Sequence, residues 1–153
     1  MKISFILSLL LLISSCQEKV FYTKTYSFNK NVWSRKVLPK FAIDIKDTLS
    51  SYDFNISFRS TTDYSYSNCW IFIYSISPDK KKSKEAFEIK FAREDGTWIG
   101  KKTGSIVEHK ITFPNKKFPM KGKYQFIIEQ AVIQKELKEL LDITFIVNKR
   151  TKS

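Results

Sequence analysis

The side chains of this 153-residue chain that are able to do chemistry are few. His109 is the single histidine, which is too little for a histidine-based metal site or a conventional catalytic triad. Glu129 and Asp142 are carboxylates of the kind that a glycosidase needs about 5 to 9 Å apart across a cleft, but nothing in the sequence places them together. No glycine-rich phosphate loop and no serine-centred elbow is present. The sequence therefore predicts a protein that is not an enzyme and that holds no metal and no cofactor.

Cys16 follows a segment that is typical of an export signal. Lys2 supplies a positive start, and residues 3–13 are apolar apart from two serines. This run is too short for a membrane-spanning helix, which needs about 20 apolar residues, so we expect a cleaved signal. Ile13-Ser14-Ser15-Cys16 resembles the bacterial lipobox, whose cysteine receives a diacylglyceryl thioether and becomes the first residue of the mature protein. The alternative is an ordinary secretory signal, which would leave a soluble product.

The lipobox divides the chain into three predicted parts. Residues 1–15 are the signal peptide, residues 16–19 the lipidated tether, and residues 20–150 a single domain. If ordered structure begins at Val20, three residues at about 3.3 to 3.6 Å each hold the domain close to the bilayer. If it begins nearer Val37, the reach is several times longer. The covalent acyl groups make the membrane the first expected partner.

Cys69 is left as the only thiol once the first cysteine carries a lipid. The chain enters an oxidising compartment, but a single thiol cannot form an internal disulfide. Cys69 stands directly before the apolar run from Trp70 to Tyr74. We therefore expect a buried, unreactive side chain rather than a nucleophile.

The segment from Asp63 to Asn68 is unusually aromatic for a connection between strands. Tyr64 and Tyr66 have rings that can stack on a sugar or contact a partner, with Asp63 and Asn68 as hydrogen-bonding groups. The favoured alternative is a corner of the fold in which a tyrosine hydroxyl and the Asx side chains fix the turn. Trp98 follows a predicted turn, where packing within a hairpin or the core competes with a role as a ligand platform.

Alternation of apolar and polar residues with a period of two dominates the rest of the chain. This pattern is typical of half-buried β-strands. It occurs in five stretches, at residues 41–45, 54–58, 87–91, 124–128 and 143–147. Residues 70–76 are apolar at nearly every position, which predicts a central strand covered on both faces. Together these strands predict an all-β fold, an antiparallel, jelly-roll-like β-sandwich of about seven to eight strands.

One segment near the C-terminus has a different period. Between Glu129 and Leu141, apolar residues recur at helical spacing, with Gln, Lys and Glu between them. These apolar residues are Ile133, Leu137, Leu140 and Leu141. The spacing predicts one short helix that joins the last two strands.

The charge balance is strongly basic, with 27 Lys and Arg against 15 Asp and Glu. Only 4 of the 27 basic residues are arginine, and export separates the protein from nucleic acid, so we expect no nucleic-acid partner. Lys80–Lys82 and Lys116–Lys117 flank predicted turns. They are either ordinary solvated lysines or a surface that faces anionic headgroups or an acidic partner.

Several blocks along nearly the whole chain share their order and spacing with a known family. They are the lipobox at Cys16, Trp33, the strand Phe41-x-Ile43-x-Ile45, residues 52–59 leading into Asp63–Asn68 and Trp70–Tyr74, residues 95–100, and residues 118–131. Together they resemble the GldH family of gliding-motility lipoproteins of Bacteroidetes-type bacteria. The chain departs from the family pattern at Ser65, where the family has proline, and at Cys69, where it has leucine.

The resemblance implies an outer-membrane lipoprotein that is needed for surface gliding and is associated with the type IX secretion and motility machinery. It implies no enzymatic activity, and it makes other gliding and secretion envelope proteins the expected partners rather than a small-molecule ligand. Gln17-Glu18-Lys19 carries a single acid and no strong surface-export tag, so we expect the domain to face the periplasm. A lipid-anchored carbohydrate-binding module is the alternative, because sandwiches often present aromatic side chains to sugars.

Overall fold

The computed structural model describes residues 19–150 of the chain, and nearly all of its regular structure is β-strand. Eight strands have six or more residues and three have three residues, and a 3-10 turn at Asn29–Asn31 follows the first strand. The strands are β1 (Lys19–Ser27), β2 (Val32–Ser34), β3 (Lys40–Ile45), β4 (Tyr52–Thr61), β5 (Asn68–Ile76), β6 (Lys82–Lys90), β7 (Lys101–Thr103), β8 (Ile106–Lys116), β9 (Gly122–Gln130), β10 (Glu136–Lys138) and β11 (Leu140–Lys149).

Two antiparallel sheets pack face to face. One has five strands in the order β1-β11-β4-β8-β7, and the other has four in the order β3-β9-β5-β6. A small ribbon of β2 and β10 pairs Trp33 with Leu137. This arrangement confirms the prediction of an all-β antiparallel sandwich. No helix within residues 19–150 is long and apolar enough to cross a bilayer.

The core between the sheets is built mainly from aromatic rings. Phe145 of β11 stacks on Phe41 of β3, with ring centroids 5.1 Å apart, and lies 5.2 Å from Phe126 of β9. Phe54 of β4 contacts the same group at 5.7 Å from Phe145. Each of these residues lies in a strand whose side chains face inward at every second position. The apolar residues of the alternating pattern therefore form the interface between the two sheets.

The strand that is covered on both faces is β4, not β5. Outward-facing Asp53, Asn55 and Ser57 are 3 to 4% exposed, because side chains of the neighbouring strands bond to them across the sheet. In β5, by contrast, Trp70 is 44% exposed. The prediction that residues 70–76 form the doubly covered strand was therefore wrong, because the outer face of the four-stranded sheet leaves Trp70 open to solvent.

The predicted helix between Glu129 and Leu141 is also wrong. Residues up to Gln130 belong to β9, and the chain then turns and forms β10 and β11. Ile133 is 93% exposed while Leu137 is 1% exposed, so the apolar residues do not share one face. Tertiary contacts override the helical spacing here: Arg35 donates hydrogen bonds to the carbonyl oxygens of Ile133 at 2.6 Å and Gln134 at 3.2 Å, acceptors that a helix would use internally.

The strand order gives the sandwich two distinct ends. The chain enters the fold at Lys19, which pairs with Lys149, and Lys149 in turn pairs with Tyr52 at the start of β4. We call this the entry end, comprising residues 44–53, 77–82, 116–123 and 149–150. The opposite end, comprising residues 28–39, 61–67, 91–105 and 130–139, is called the far end.

Candidate functional site

The aromatic segment singled out by the sequence lies at the far end, between β4 and β5. Tyr64 is only 4% exposed and packs edge-on against Phe91, with centroids 4.8 Å apart. Its hydroxyl donates a hydrogen bond to the backbone oxygen of Asn68 at 3.3 Å, four residues along the chain. Burial raises the pKa of Tyr64 well above its usual range. The geometry is that of a tyrosine fixing a corner of the sandwich.

The other polar residues of this segment have separate positions. Asn68 donates from Nδ2 to Glu88 Oε1 at 2.7 Å, which ties the start of β5 to the end of β6. Asp63 is exposed, and its backbone N–H donates to Thr61 Oγ1 at 3.2 Å. Tyr66 is 40% exposed and packs edge-on beside Tyr64. Only Asp63 and Tyr66 of the proposed contact residues therefore offer substantial free surface in this segment.

Trp98 closes the same end from the side of the β6–β7 connection. It is half-buried, forms an isolated bridge with Ala92, and lies 6.1 Å from the ring of His109. His109 lies under Phe91, with centroids 4.2 Å apart. Burial lowers the pKa of His109, partly offset by a backbone contact with Ile99, so the ring is kept neutral. These rings form a packed aromatic cluster rather than an open platform for a ligand.

Gly100 lets the β6–β7 connection approach β8 closely. Its φ is +120°, and a Cβ there would come within 2.2 Å of the backbone oxygen of Glu108. Only glycine fits this backbone conformation and this contact. The aromatic cluster thus depends on the close backbone approach at Gly100 as well as on ring packing.

Cys69 is fully buried at the start of β5, as expected. Burial raises the pKa of its thiol to about 12, an effect that a hydrogen bond with Tyr64 partly opposes. It is a free thiol and an inert part of the core. Cys16, the predicted lipid attachment site, lies outside the described residues.

The carboxylates considered for catalysis belong to different sheets. Glu129 of β9 accepts a hydrogen bond from the Tyr74 hydroxyl at 2.5 Å, whereas Asp142 of β11 is bound by Arg59, whose Nε donates at 2.9 Å. Each carboxylate therefore has its own structural partner. Within residues 19–150, no three His, Cys, Asp or Glu side chains converge as a metal site would require.

The outer face of β5 carries an aromatic stripe that the sequence alone did not indicate. It consists of Trp70, Phe72 and Tyr74, which point away from the core at alternate positions. The ammonium of Lys84 lies 3.7 Å from the centroid of Phe72 and covers part of the stripe. The polar composition of the adjacent β6, Lys82–Lys90, was the available signal that one face of this sheet is open.

The lysine clusters converge at the entry end, which the sequence alone did not show. Gly122, at φ +127°, packs against the ring of Pro78, where a Cβ would lie only 2.9 Å from Cγ. This contact joins the β5–β6 turn, which carries Lys80, to the β8–β9 loop, which carries Lys121. Phe118 is buried between Tyr52 and Tyr124, with centroids 5.3 and 4.5 Å away, and anchors the second loop.

The model of the GldH lipoprotein family matches residues 20–147, which is nearly all of the described sandwich. The chain belongs to the GldH lipoprotein family. A gliding motility lipoprotein GldH homolog of Christiangramia forsetii is 30% identical over 148 residues, covering 92% of this chain and 90% of the relative. The gliding motility lipoprotein GldH of Flavobacterium johnsoniae is 25% identical over 122 residues, covering 80% and 76%.

Membership of the GldH family confirms the resemblance and identifies the chain as a lipoprotein involved in gliding motility. Among solved structures, a 4-O-methyl-alpha-glucuronidase with specificity for decorated arabinogalactans shares 11% identity, with a TM-score of 0.42, over 88% of this chain and 18% of that chain. A likeness at this level carries no argument about function. The family, not the structural neighbour, therefore guides the functional interpretation.

Proposed function

We propose that this GldH-family chain is a non-catalytic, lipid-anchored structural or assembly component of the gliding apparatus, associated with the type IX secretion machinery. It faces the periplasm from the outer membrane, and Cys16 carries the diacylglyceryl and acyl groups. Other envelope proteins of gliding and secretion are its partners. No metal, cofactor or small-molecule substrate takes part.

The observation that carries this proposal is the position of the first strand. β1 begins at Lys19, three residues after Cys16, so the short-tether alternative is the one that the fold supports. A domain held this close to a bilayer has a high effective concentration for any partner in the same membrane. Modest contacts then suffice for stable assembly, and a catalytic cleft is unnecessary.

The buried polar groups of the sandwich support a structural role. The carboxylate of Asp53 is 5% exposed and accepts hydrogen bonds from Arg150 Nε at 2.7 Å and from the backbone N–H of Asn115 at 2.7 Å. Asn55 accepts from Thr112 at 2.8 Å, and Ser57 donates to Glu108 at 2.6 Å. Each of these buried polar side chains therefore has a hydrogen-bond partner, and the bonds link neighbouring parts of the five-stranded sheet.

Affinity purification of the full-length lipidated protein from detergent-solubilised outer membrane tests the proposal. We expect gliding or secretion components to be recovered with the wild-type chain and to be lost with Cys16→Ser, because that variant loses its membrane confinement. Cys69→Ala removes the buried cysteine but leaves the anchor, so it serves as the matched control and retains the partners. Recovery of no such component with intact wild-type protein would contradict the proposal.

Carbohydrate binding is a second candidate, favoured by the stripe of Trp70, Phe72 and Tyr74. Aromatic rings on the outer face of a sheet can stack against sugar rings. Tyr64 is buried, so the β4–β5 corner does not present its ring to a sugar. Glycan-array binding that is lost in Trp70→Ala and kept in Tyr66→Ala would support it, and absence of glycan binding by the wild-type protein would remove it.

A further inference from the structure

The entry end carries a concentrated excess of positive charge. Its 26 residues contain ten basic and four acidic side chains, a net charge of +6, whereas the 44 residues of the far end contain eight basic and five acidic, a net charge of +3. The charge excess seen in the sequence is therefore concentrated at the end where the chain enters the fold.

The four acids of the entry end are already paired. Asp53 bonds to Arg150, and Asp47 lies 2.7 Å from Lys149. Lys81 bonds to Asp79 at 3.0 Å, and Lys46 lies 4.0 Å from Asp44. Six exposed lysines have no ion-pair partner within residues 19–150. They are Lys80, Lys82, Lys116, Lys117, Lys121 and Lys123.

The loops that present these lysines are fixed by their own contacts. The Tyr124 hydroxyl donates to the Met120 oxygen at 3.0 Å, and buried Phe118 holds the β8–β9 loop against the core. In the β5–β6 turn, the Lys80 N–H donates to the Ser77 oxygen at 2.9 Å, with Lys80 at φ +68°. The lysines therefore form a preorganised surface, and binding an anionic surface does not require the loops to fold first.

An exposed leucine stands among these charges. Leu49, at the tip of the β3–β4 loop, is 79% exposed. Its N–H donates to Asp47 Oδ1 at 2.9 Å, which fixes the loop with the leucine pointing outwards. Val20 is 56% exposed, and Phe21 is 40% exposed, next to the point where the chain enters. Apolar side chains bordered by lysines are typical of surfaces that dock at a membrane interface.

The short connection to the anchor limits what this end can face. From Cys16 to Lys19 the chain spans at most about 11 Å, and the headgroup layer of a leaflet is roughly 6 Å thick. The tether therefore lets the entry end reach the lipid phosphates, and a lysine that comes within about a Debye length of them gains roughly fivefold in membrane affinity.

We propose that the entry end is a membrane-docking face, in which the six unpaired lysines contact the phosphates of anionic lipids in the leaflet that holds the Cys16 anchor and Leu49 inserts among the acyl chains. This inference rests on the lipid anchor of the proposed function. It gives the domain a fixed orientation, with the far end and its exposed Tyr66 directed away from the bilayer.

Lysine acetylation followed by mass spectrometry tests the docking. The full-length lipidated protein is reconstituted into phosphatidylcholine vesicles with or without phosphatidylglycerol. We expect Lys80, Lys116 and Lys121 to react about fivefold more slowly on the anionic vesicles, and the difference to vanish at about 0.5 M salt. Lys101 and Lys102 at the far end are expected to react equally on both vesicles.

A charge-reversed variant sharpens the test. In Lys116→Glu with Lys117→Glu, protection of Lys80 on anionic vesicles is expected to fall several-fold, whereas the far-end control Lys101→Glu with Lys102→Glu keeps it. Equal reactivity at both ends on both vesicles overturns the docking face. Lysine protection that appears only after an outer-membrane protein extract is added also overturns the docking face. That result would mean that the entry end binds a protein partner instead.

The same spectra separate this inference from the proposed function. An unmodified Cys16 peptide overturns the lipid anchor itself. A lipidated Cys16 without lysine protection leaves the anchor intact and overturns the docking face alone.

Discussion

The two ends of the sandwich are built largely from the same kind of element, connections that cross between the sheets, but they direct their side chains differently. At the far end, Tyr64, Phe91 and Trp98 turn inward: Tyr64 packs on Phe91, and Phe91 and Trp98 pack on His109 of β8. At the entry end, Ile45, Tyr52 and Phe118 turn inward, and six lysines remain exposed. The far end closes the core, and the entry end displays charge.

The comparison shows that a segment rich in aromatic residues need not form a functional surface. The most aromatic connection, from Asp63 to Asn68, is largely occupied in holding the fold together. The lysine-rich connections contribute few core contacts and are free to meet another surface. Changes at the far end should therefore affect folding, and changes at the entry end should affect what the folded protein touches.

The largest expected effect is at Tyr64. We expect Tyr64→Ala to lower the free energy of unfolding by about 3 to 5 kcal/mol, because it removes a buried ring and leaves a cavity beside Phe91. Tyr66→Ala, at the 40% exposed neighbour, is the control and should change it by about 1 kcal/mol or less. Urea titration followed by tryptophan fluorescence measures both. Intact stability in Tyr64→Ala, with loss of assembly or binding, would show instead that this tyrosine is a contact residue.

A smaller effect is expected where an arginine neutralises a buried carboxylate. Arg59→Met leaves Asp142 without any ion-pair partner among the described residues, and we expect a loss of about 2 to 3 kcal/mol. Arg150→Met at the entry end should cost about 1 kcal/mol, because Asp53 keeps the hydrogen bond from the Asn115 N–H at 2.7 Å. Equal shifts in the urea midpoints of the two variants would count against this difference.

The pH dependence of stability should report on the far end. Burial lowers the pKa of His109 below its ordinary 6.5, so the unfolded chain takes up a proton first as the pH falls. The contribution of His109 is fully present above pH 6.5 and is lost as the pH falls towards the folded-state pKa. We expect a lower urea midpoint at about pH 5.5 than at about pH 7.5 in the wild type, and a weaker dependence in His109→Gln. An unchanged dependence in the variant would show that His109 is not the cause.

The smallest effect on folding is expected at the entry end. Lys116→Glu combined with Lys117→Glu should change the free energy of unfolding by no more than about 0.5 kcal/mol, because both side chains are exposed and form no ion pair within the described residues. Thermal or urea unfolding of the variant beside the wild type checks this. A large loss of stability would mean that the lysines are part of the structure rather than a displayed surface.

The sequence predicted those parts of the fold that depend on local alternation. Phe41, Ile43 and Ile45 were expected to line one face of a strand, and all three are at most 2% exposed in β3. Burial of Cys69 was also predictable, from the apolar run beside it.

The remaining features depend on contacts between distant residues. The helical spacing around Leu137 failed because pairing with Trp33 and the hydrogen bonds from Arg35 determine the backbone. The convergence of Lys80 with Lys121 depends on strand order and on the packing of Gly122 against Pro78. No local pattern encodes such a juxtaposition, so the sequence offered a surface facing anionic headgroups only as one alternative for the lysine clusters, and their shared position became apparent in the structure.

The orientation of the sandwich on the bilayer is tested most directly by lipid quenching of site-specific labels. Leu49→Cys and Ile133→Cys place a fluorophore at the entry end and the far end, and Cys69 is fully buried and does not compete for the label. A ten-residue strand such as β4 separates the two ends by about 33 Å.

In vesicles that contain phosphatidylglycerol and a spin-labelled lipid, we predict strong quenching of the Leu49→Cys label and little quenching of the Ile133→Cys label in the lipidated protein. Equal quenching of the two labels, or stronger quenching at position 133, would contradict an account in which the basic end lies on the membrane.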